Sequence, residues 1–141
     1  MGYKIETHAR CAVIGYGRWA TAVVKILHEN EQRVGWYIRN GEVLEHIRRY
    51  KTNPRYLRDV HFDTERLWLS DDLNRIVEDS DLLVLATPSI YLKTTLAPLT
   101  VPLESKFVVS AIKGIIPEEL VTVAEYMKLT YGLPFDQLGI V

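Results

Sequence analysis

A glycine-rich loop near the amino terminus is the first feature of the chain that could do chemistry. The pattern G-x-G-x-x-G/A follows the apolar run Cys11–Ile14 and is formed by Gly15, Tyr16, Gly17, Arg18, Trp19 and Ala20. In this pattern the first glycine permits a tight turn, the second lets backbone approach a pyrophosphate, and the third small residue lets a helix pack closely. The start of the following helix offers unpaired N–H groups and partial positive charge to an anion. We predict that Gly15–Ala20 binds the pyrophosphate of a dinucleotide, with a simple two-glycine turn as the alternative.

The end of the second predicted strand carries a base where many dinucleotide sites carry an acid. An Asp or Glu about 20 residues beyond the glycine loop usually holds the ribose 2′-hydroxyl. Here that neighbourhood contains Arg39 followed by Asn40. A guanidinium can bind a 2′-phosphate through two parallel hydrogen bonds, so we predict NADP(H) in preference to NAD(H), with both residues as cofactor contacts. The alternatives for Arg39 are a solvated surface arginine or one that forms an ion pair with Glu42, and Glu42 on the adenosine ribose would weaken the preference for NADP(H).

Three further residues lie where a bound dinucleotide would be expected. Lys113 follows the fifth predicted strand, so its ammonium could meet a substrate phosphate or hydroxyl, or the nicotinamide; an exposed surface lysine is the alternative. Pro88 ends the fourth strand, where rigid backbone could lie against the cofactor or simply stop the strand. Trp19 either packs against the fold or adjoins the pyrophosphate.

Strands and helices alternate along the chain and would have to position these residues. The predicted strands are Cys11–Ile14, Val34–Ile38, Leu67–Leu69, Leu82–Ala86, Lys106–Ile112 and a sixth within Phe135–Val141. The predicted helices are Trp19–Glu29, Gly41–Tyr50, Asp71–Asp79 with Ser70 as its N-cap, Ile90–Leu96, and Pro117–Leu129, and residues 55–65 are predicted to be mostly loop. This order predicts an α/β fold: a doubly wound, mostly parallel, Rossmann-type sheet with helices on both faces. Ligands of such sheets bind outside the carboxyl ends of the strands.

Composition limits the function classes. The 141 residues contain 17 Lys and Arg against 18 Asp and Glu, a formal charge of −1, which argues against a nucleic-acid partner. No apolar stretch reaches the length of a membrane span, and no secretory signal is visible in Met1–Arg10, so we expect a cytoplasmic protein. The four histidines are scattered and Cys11 is the sole cysteine, so no metal-ligand spacing is present.

Five segments in chain order match a longer set of motifs. They are the glycine loop continued through Thr21-Ala22, Val34–Arg39 with Glu42, Asn53–Leu57, Ala86–Ser89, and Ile112–Ile115. Together they resemble the NAD(P)-dependent glycerol-3-phosphate dehydrogenase family, in which the corresponding motifs are G-x-G-x-W-G-T-A, V-x-L-W-x-R-x-x-E, N-x-x-Y-L-P, A-V-P-S and T-K-G-I/L-E. The chain departs from them at Ala20, at Trp36 and Tyr37, at Arg58 in place of proline, and after Ile115, where the glutamate is missing.

The resemblance implies an activity and the roles of particular residues and domains in it. The activity is reversible hydride transfer between dihydroxyacetone phosphate and sn-glycerol 3-phosphate, which supplies glycerophospholipid synthesis. Cofactor contacts would fall on the glycine loop, Arg39, Tyr56 and Pro88, and Lys113 would contact both cofactor and substrate. A helical carboxyl-terminal domain, absent from these residues, would supply a second, catalytic lysine. We therefore expect residues 1–141 to form the NAD(P)-binding domain and to be inactive alone.

Two other functions remain open at this point. The same loop would serve a stand-alone NAD(P)-binding sensor, or the cofactor domain of another hydroxy-acid or sugar-phosphate dehydrogenase. An isolated cofactor domain can also expose apolar surface, through which a homodimer could form.

Overall fold

A six-stranded parallel sheet forms the centre of the molecule. The computed structural model describes residues 10–30 and 33–141, so Met1–Ala9 of the predicted domain lie outside the described residues. The strands in chain order are β1 (Cys11–Ile14), β2 (Val34–Tyr37), β3 (Leu67–Ser70), β4 (Leu82–Leu85), β5 (Phe107–Ser110), β6 (Ile115–Ile116), β7 (Val121–Thr122) and β8 (Leu138–Ile140). The sheet order is β3-β2-β1-β4-β5-β8, and every neighbouring pair is parallel. This is the doubly wound Rossmann order, which confirms the predicted fold class.

Helices cover both faces of the sheet. They are α1 (Arg18–Asn30), α2 (Gly41–Tyr50), α3 (Leu73–Glu78), α4 (Leu92–Leu96) and α5 (Val123–Tyr131), with 3₁₀ turns at Thr64–Arg66, Ser89–Tyr91 and Phe135–Gln137. Successive strand side chains point to opposite faces, so Val13 packs with α1 and α2 while Ile14 packs with α3, α4 and α5. None of the helices in the described residues has the length and apolar character needed to cross a membrane.

The reversal of strand order occurs between β1 and β4. One crossover from β1 runs outward through α1 to β2, and the chain later returns to place β4 on the other side of β1. The connections at the carboxyl ends of these strands diverge there and leave a crevice, which is where doubly wound sheets bind ligands. The glycine loop follows β1 directly at this position.

The start of α3 differs from the prediction. Asp72, and not Ser70, is the N-cap: its carboxylate accepts from Arg75 N at 3.2 Å, and the helix begins at Leu73. Ser70 is the last residue of β3, and its hydroxyl accepts from Asp72 N at 3.0 Å. Both side chains can cap, and pairing of β3 with β2 extends the strand through Ser70, so the helix starts two residues later.

The predicted helix from Pro117 to Leu129 is wrong in its first half. Residues 115–122 form an antiparallel hairpin of β6 and β7, and α5 begins only at Val123. Leu120 has φ +54°, a left-handed conformation that a helix interior does not accommodate. The true start is marked by a capping box, in which Thr122 accepts from Glu125 N and Glu125 accepts from Thr122 N.

The capping box gives a stability prediction. Thr122→Ala removes the hydroxyl that accepts from Glu125 N at 3.2 Å, and it should lower the free energy of unfolding by about 1 kcal/mol. Thr130→Ala, an exposed position in the last turn of the same helix, is the control and should leave stability unchanged or slightly raised. Urea unfolding followed by circular dichroism measures both variants. Equal effects of the two substitutions would show that the cap does not set the start of α5.

Candidate functional site

The carbonyl groups of Gly15, Tyr16 and Gly17 all accept hydrogen bonds from residues outside the glycine loop. The donors are Trp36 Nε1 to Gly15 O (2.6 Å), Asn53 Nδ2 to Tyr16 O (3.0 Å), and Thr21 N (2.9 Å) and Oγ1 (2.7 Å) to Gly17 O. Within residues 10–30 and 33–141, the N–H groups of Tyr16, Gly17 and Arg18 donate to no protein acceptor. With its carbonyls engaged, the loop offers N–H donors at the start of α1, which is the arrangement that binds an anion.

The two glycines of the loop are constrained in different ways. Gly15 has φ +128°, and a Cβ there would lie 2.7 Å from the carbonyl oxygen of Ala86, so the fold itself requires glycine. A Cβ on Gly17 would meet no atom of the described residues within 4 Å. The fold therefore does not require glycine at position 17. The open space beside Gly17 is where a ligand can approach the backbone.

A cavity of about 340 Å³ lies on one side of the loop, beyond the ends of β1 and β2. We call it the arginine cavity; its lining includes Tyr16, Gly17, Tyr37, Arg39, Arg55, Tyr56 and Pro88. Gly15 lines it as well, so the structure brings together six of the residues predicted as cofactor contacts. In the described part of the chain, neither Arg39 nor Arg55 has a carboxylate within 4.0 Å, so both positive charges are available to a ligand.

Tyr37 is buried and lines the arginine cavity as a neutral hydroxyl. Burial raises the pKa of this phenol above its ordinary value, and the nearby Arg39 guanidinium opposes the shift without reversing it. Because the ordinary value is already near 10, Tyr37 stays protonated at neutral pH and keeps its hydrogen-bond donor.

A second cavity of about 530 Å³ lies on the other side of the loop, beyond the ends of β4 and β5. We call it the lysine cavity; it is lined in part by Gly17, Arg18, Trp19, Pro88, Ile112 and Lys113. The two cavities share Gly17, Thr87 and Pro88, so they adjoin across the switch point of the sheet. Lys113 is exposed and Trp19 is half-exposed at 51%. The cleft therefore runs from two guanidinium groups, past free backbone N–H groups, to one ammonium.

Two predicted contacts lie outside both cavities. Ala20 is fully buried among the side chains between α1 and the sheet, which agrees with its expected role of close helix packing. Asn40 is the N-cap of α2, where its Oδ1 accepts from Glu42 N at 3.0 Å and Val43 N at 3.1 Å. In the described part of the chain, Glu42 forms no ion pair with Arg39, so that alternative for Arg39 is wrong.

Sequence reasoning missed two residues that shape the cleft. Arg55 lines the arginine cavity, although the sequence predicts an irregular loop at residues 55–65, away from any strand end. Asn53 is fully buried and bonds both the glycine loop and the turn that carries Arg55. The sequence feature that comes closest to indicating them is the match of Asn53 and Tyr56 to one family motif. That match does not show that Asn53 bonds Tyr16 and Arg55.

Comparison with known proteins identifies the family. Residues 10–140 match the family described as NAD-dependent glycerol-3-phosphate dehydrogenase N-terminus. The chain belongs to this family. A curated relative from Pseudomonas fluorescens, named glycerol-3-phosphate dehydrogenase (NAD(P)+), is 42% identical over 106 residues, which cover 74% of this chain and 30% of that protein. One from Pseudomonas syringae is 35% identical over 111 residues, 79% of this chain and 32% of the relative. The chain spans about a third of the length of these family members.

A solved structure of the family has the same fold. The chain superimposes on glycerol-3-phosphate dehydrogenase from Coxiella burnetii with a TM-score of 0.76 at 21% identity, covering 94% of this chain and 39% of that one. At this identity the likeness shows the fold alone: the described residues correspond to a Rossmann-type part of a longer family member.

Proposed function

We propose that the chain is the dinucleotide-binding domain of an NAD(P)-dependent glycerol-3-phosphate dehydrogenase. The observation that carries the proposal is the cleft with a loop of free N–H donors at its centre, guanidinium groups at one end and Lys113 at the other. A dinucleotide has the matching order of parts: a phosphorylated or free adenosine, a pyrophosphate, and a nicotinamide next to the substrate. The named activity of the curated relatives supports the same assignment.

The chemistry of the residues that line the cleft matches the parts of a dinucleotide. The loop of Tyr16, Gly17 and Arg18 would bind the pyrophosphate, because its N–H groups are free and Gly17 has open space beside it. The arginine cavity would hold the adenosine end, with Tyr56 and Asn40 nearby, and Trp19 and Pro88 would lie beside the nicotinamide. Since the arginine cavity is lined by two arginines and no acid, we propose NADP(H) in preference to NAD(H).

Lys113 is proposed as the group that connects cofactor and substrate. When bound, the reduced nicotinamide supplies a hydride to the carbonyl carbon of dihydroxyacetone phosphate. The Lys113 ammonium, in the same cavity as Trp19, would donate a hydrogen bond to substrate oxygen and stabilise the negative charge that develops there. Because the curated relatives are about three times as long, we propose that a second lysine and the rest of the substrate site lie outside these 141 residues. The isolated chain is then expected to bind cofactor without turnover.

We also propose that the partner of the protein is a small phosphorylated metabolite and not a nucleic acid, and that its compartment is the cytoplasm. Exposed apolar side chains in the connections that follow β4 and β5, including Ile90, Tyr91 and Ile115, would be covered by the substrate domain or by a second copy in a homodimer.

Fluorescence titration tests the proposed function. NADPH and NADH are added separately to the 141-residue chain, and the emission of its tryptophans is followed; Trp19→Phe should remove most of the ligand-induced change, because Trp19 lines the cleft. Arg39→Glu should weaken NADPH binding by about 1–3 kcal/mol, roughly 5- to 150-fold, and shift the preference toward NADH. The proposal fails if neither dinucleotide binds at millimolar concentration, and the stated preference fails if Arg39→Glu leaves the NADPH to NADH affinity ratio unchanged.

A further inference from the structure

Two arginines from different parts of the chain line one end of the cleft. Arg39 follows β2, whereas Arg55 lies in the turn after α2, and both side chains line the arginine cavity. Among residues 10–30 and 33–141, no carboxylate lies within 4.0 Å of either. Like charges in one cavity repel unless an anion lies between them, so this arrangement favours a ligand that is strongly negative at this end.

Hydrogen bonds and neighbouring contacts fix the backbone conformation of the turn that carries Arg55. The fully buried Asn53 accepts from Arg55 N at 2.9 Å and from Tyr56 N at 3.3 Å through its Oδ1. Leu57 closes the turn with φ +51°, a left-handed conformation that is unfavourable for a leucine and persists only where surrounding contacts impose it. The backbone of Arg55 is thus held while its side chain stays exposed toward the cavity.

We propose that Arg55 is a specificity-determining residue that binds the 2′-phosphate of NADP(H) together with Arg39. This inference rests on the proposed function of the same cleft. A 2′-phosphate carries close to two negative charges and three acceptor oxygens, so one bidentate guanidinium leaves acceptors for a second. The two arginines approach from β2 and from the 53–57 turn, and together they can bind different oxygens of the same phosphate. Without that phosphate, Arg55 has no partner at this end of the dinucleotide.

Arg55→Gln measured against four ligands tests this role. Affinities of NADPH, NADH, adenosine 2′,5′-bisphosphate and adenosine 5′-monophosphate are determined for the wild-type chain and the variant by calorimetry. The substitution should weaken NADPH and the bisphosphate about tenfold or more, the loss expected for a hydrogen bond to a charged group. NADH and the monophosphate, which lack the 2′-phosphate, should bind as they do to wild type.

Arg58→Gln is the matched control. Arg58 is exposed in the same loop, carries the same charge and lines neither cavity, so it reports the long-range effect of removing one charge. If Arg55→Gln and Arg58→Gln weaken NADPH equally, or if Arg55→Gln weakens NADPH and NADH alike, the assignment of Arg55 is overturned. If NADPH binds wild type and Arg55→Gln has no effect, the inference fails while the proposed function stands. If neither dinucleotide binds wild type, both fail.

Discussion

A chain carrying Gly17→Ala is expected to fold with wild-type stability and to bind NADPH about 100-fold more weakly, the loss of two N–H hydrogen bonds to a charged group. The added methyl group would meet no atom of the described residues within 4 Å. It would instead occupy the space through which, in the proposed function, a pyrophosphate would reach the N–H groups of Tyr16, Gly17 and Arg18. Urea unfolding and fluorescence titration with NADPH measure the two quantities on the same sample.

Gly15→Ala is the matched control for Gly17→Ala. Its methyl group would lie 2.7 Å from Ala86 O at a residue with φ +128°, so we expect a loss of about 3 kcal/mol in the free energy of unfolding. Both changes are the same substitution in the same loop, yet one acts on the fold and the other on the ligand. If Gly17→Ala binds NADPH like wild type, the loop is only a tight turn. If it unfolds as readily as Gly15→Ala, Gly17 serves the fold.

The parts of the fold that depend on local pattern were predictable from the sequence. The bounds of β1 and α2 agree with the prediction because each has strong local determinants. Strand β1 is an apolar run buried on both faces and ended by Gly15, and α2 begins behind Asn40, whose side chain caps it. The alternation of such segments was sufficient for the sheet, since parallel strands joined by helices have few alternative arrangements.

The region between β5 and α5 was not predictable in the same way. Ile116 and Val123 are both buried apolar residues at a spacing that a helix would also produce. Only the pairing of Ile115 with Thr122 and Ile116 with Val121 makes this segment a hairpin. A two-residue strand has too short a pattern to be distinguished from a helical turn, so the choice is made by its partner strand.

The residues of the candidate site also differ in whether their position could be predicted from local sequence pattern. Arg39, Pro88 and Lys113 follow strands, so the rule for the carboxyl edge of a doubly wound sheet was sufficient to place them near the glycine loop. Arg55 and Tyr56 follow no strand. Their position depends on Asn53 hydrogen bonds to Tyr16 and Thr21, which are 37 and 32 residues distant in sequence. Contacts at that separation leave no periodicity in the sequence.

Asn53→Ala is therefore expected to affect both stability and binding. Asn53 is fully buried and makes four hydrogen bonds, to Tyr16 O (3.0 Å), Thr21 Oγ1 (2.9 Å), Arg55 N (2.9 Å) and Tyr56 N (3.3 Å). Removing its amide leaves these groups without that partner, so the free energy of unfolding should fall by about 3 kcal/mol. The turn and the loop also lose the bonds that join them, and NADPH binding must order both; affinity should fall about tenfold.

Asn74→Ala separates these two effects. Asn74 has a similar role away from the cleft: its Nδ2 donates to Pro98 O at 3.0 Å, and its Oδ1 accepts from Thr100 N at 2.8 Å and Val101 N at 3.1 Å. None of these residues lines either cavity, so its loss should lower stability and leave the NADPH affinity of the folded chain unchanged. Titrations are made at a low temperature where circular dichroism shows both variants folded. Equal NADPH affinities for Asn53→Ala and Asn74→Ala would mean that Asn53 only stabilises the fold. A selective loss with Asn53→Ala would mean that one buried amide sets the distance between the glycine loop and the turn that carries Arg55.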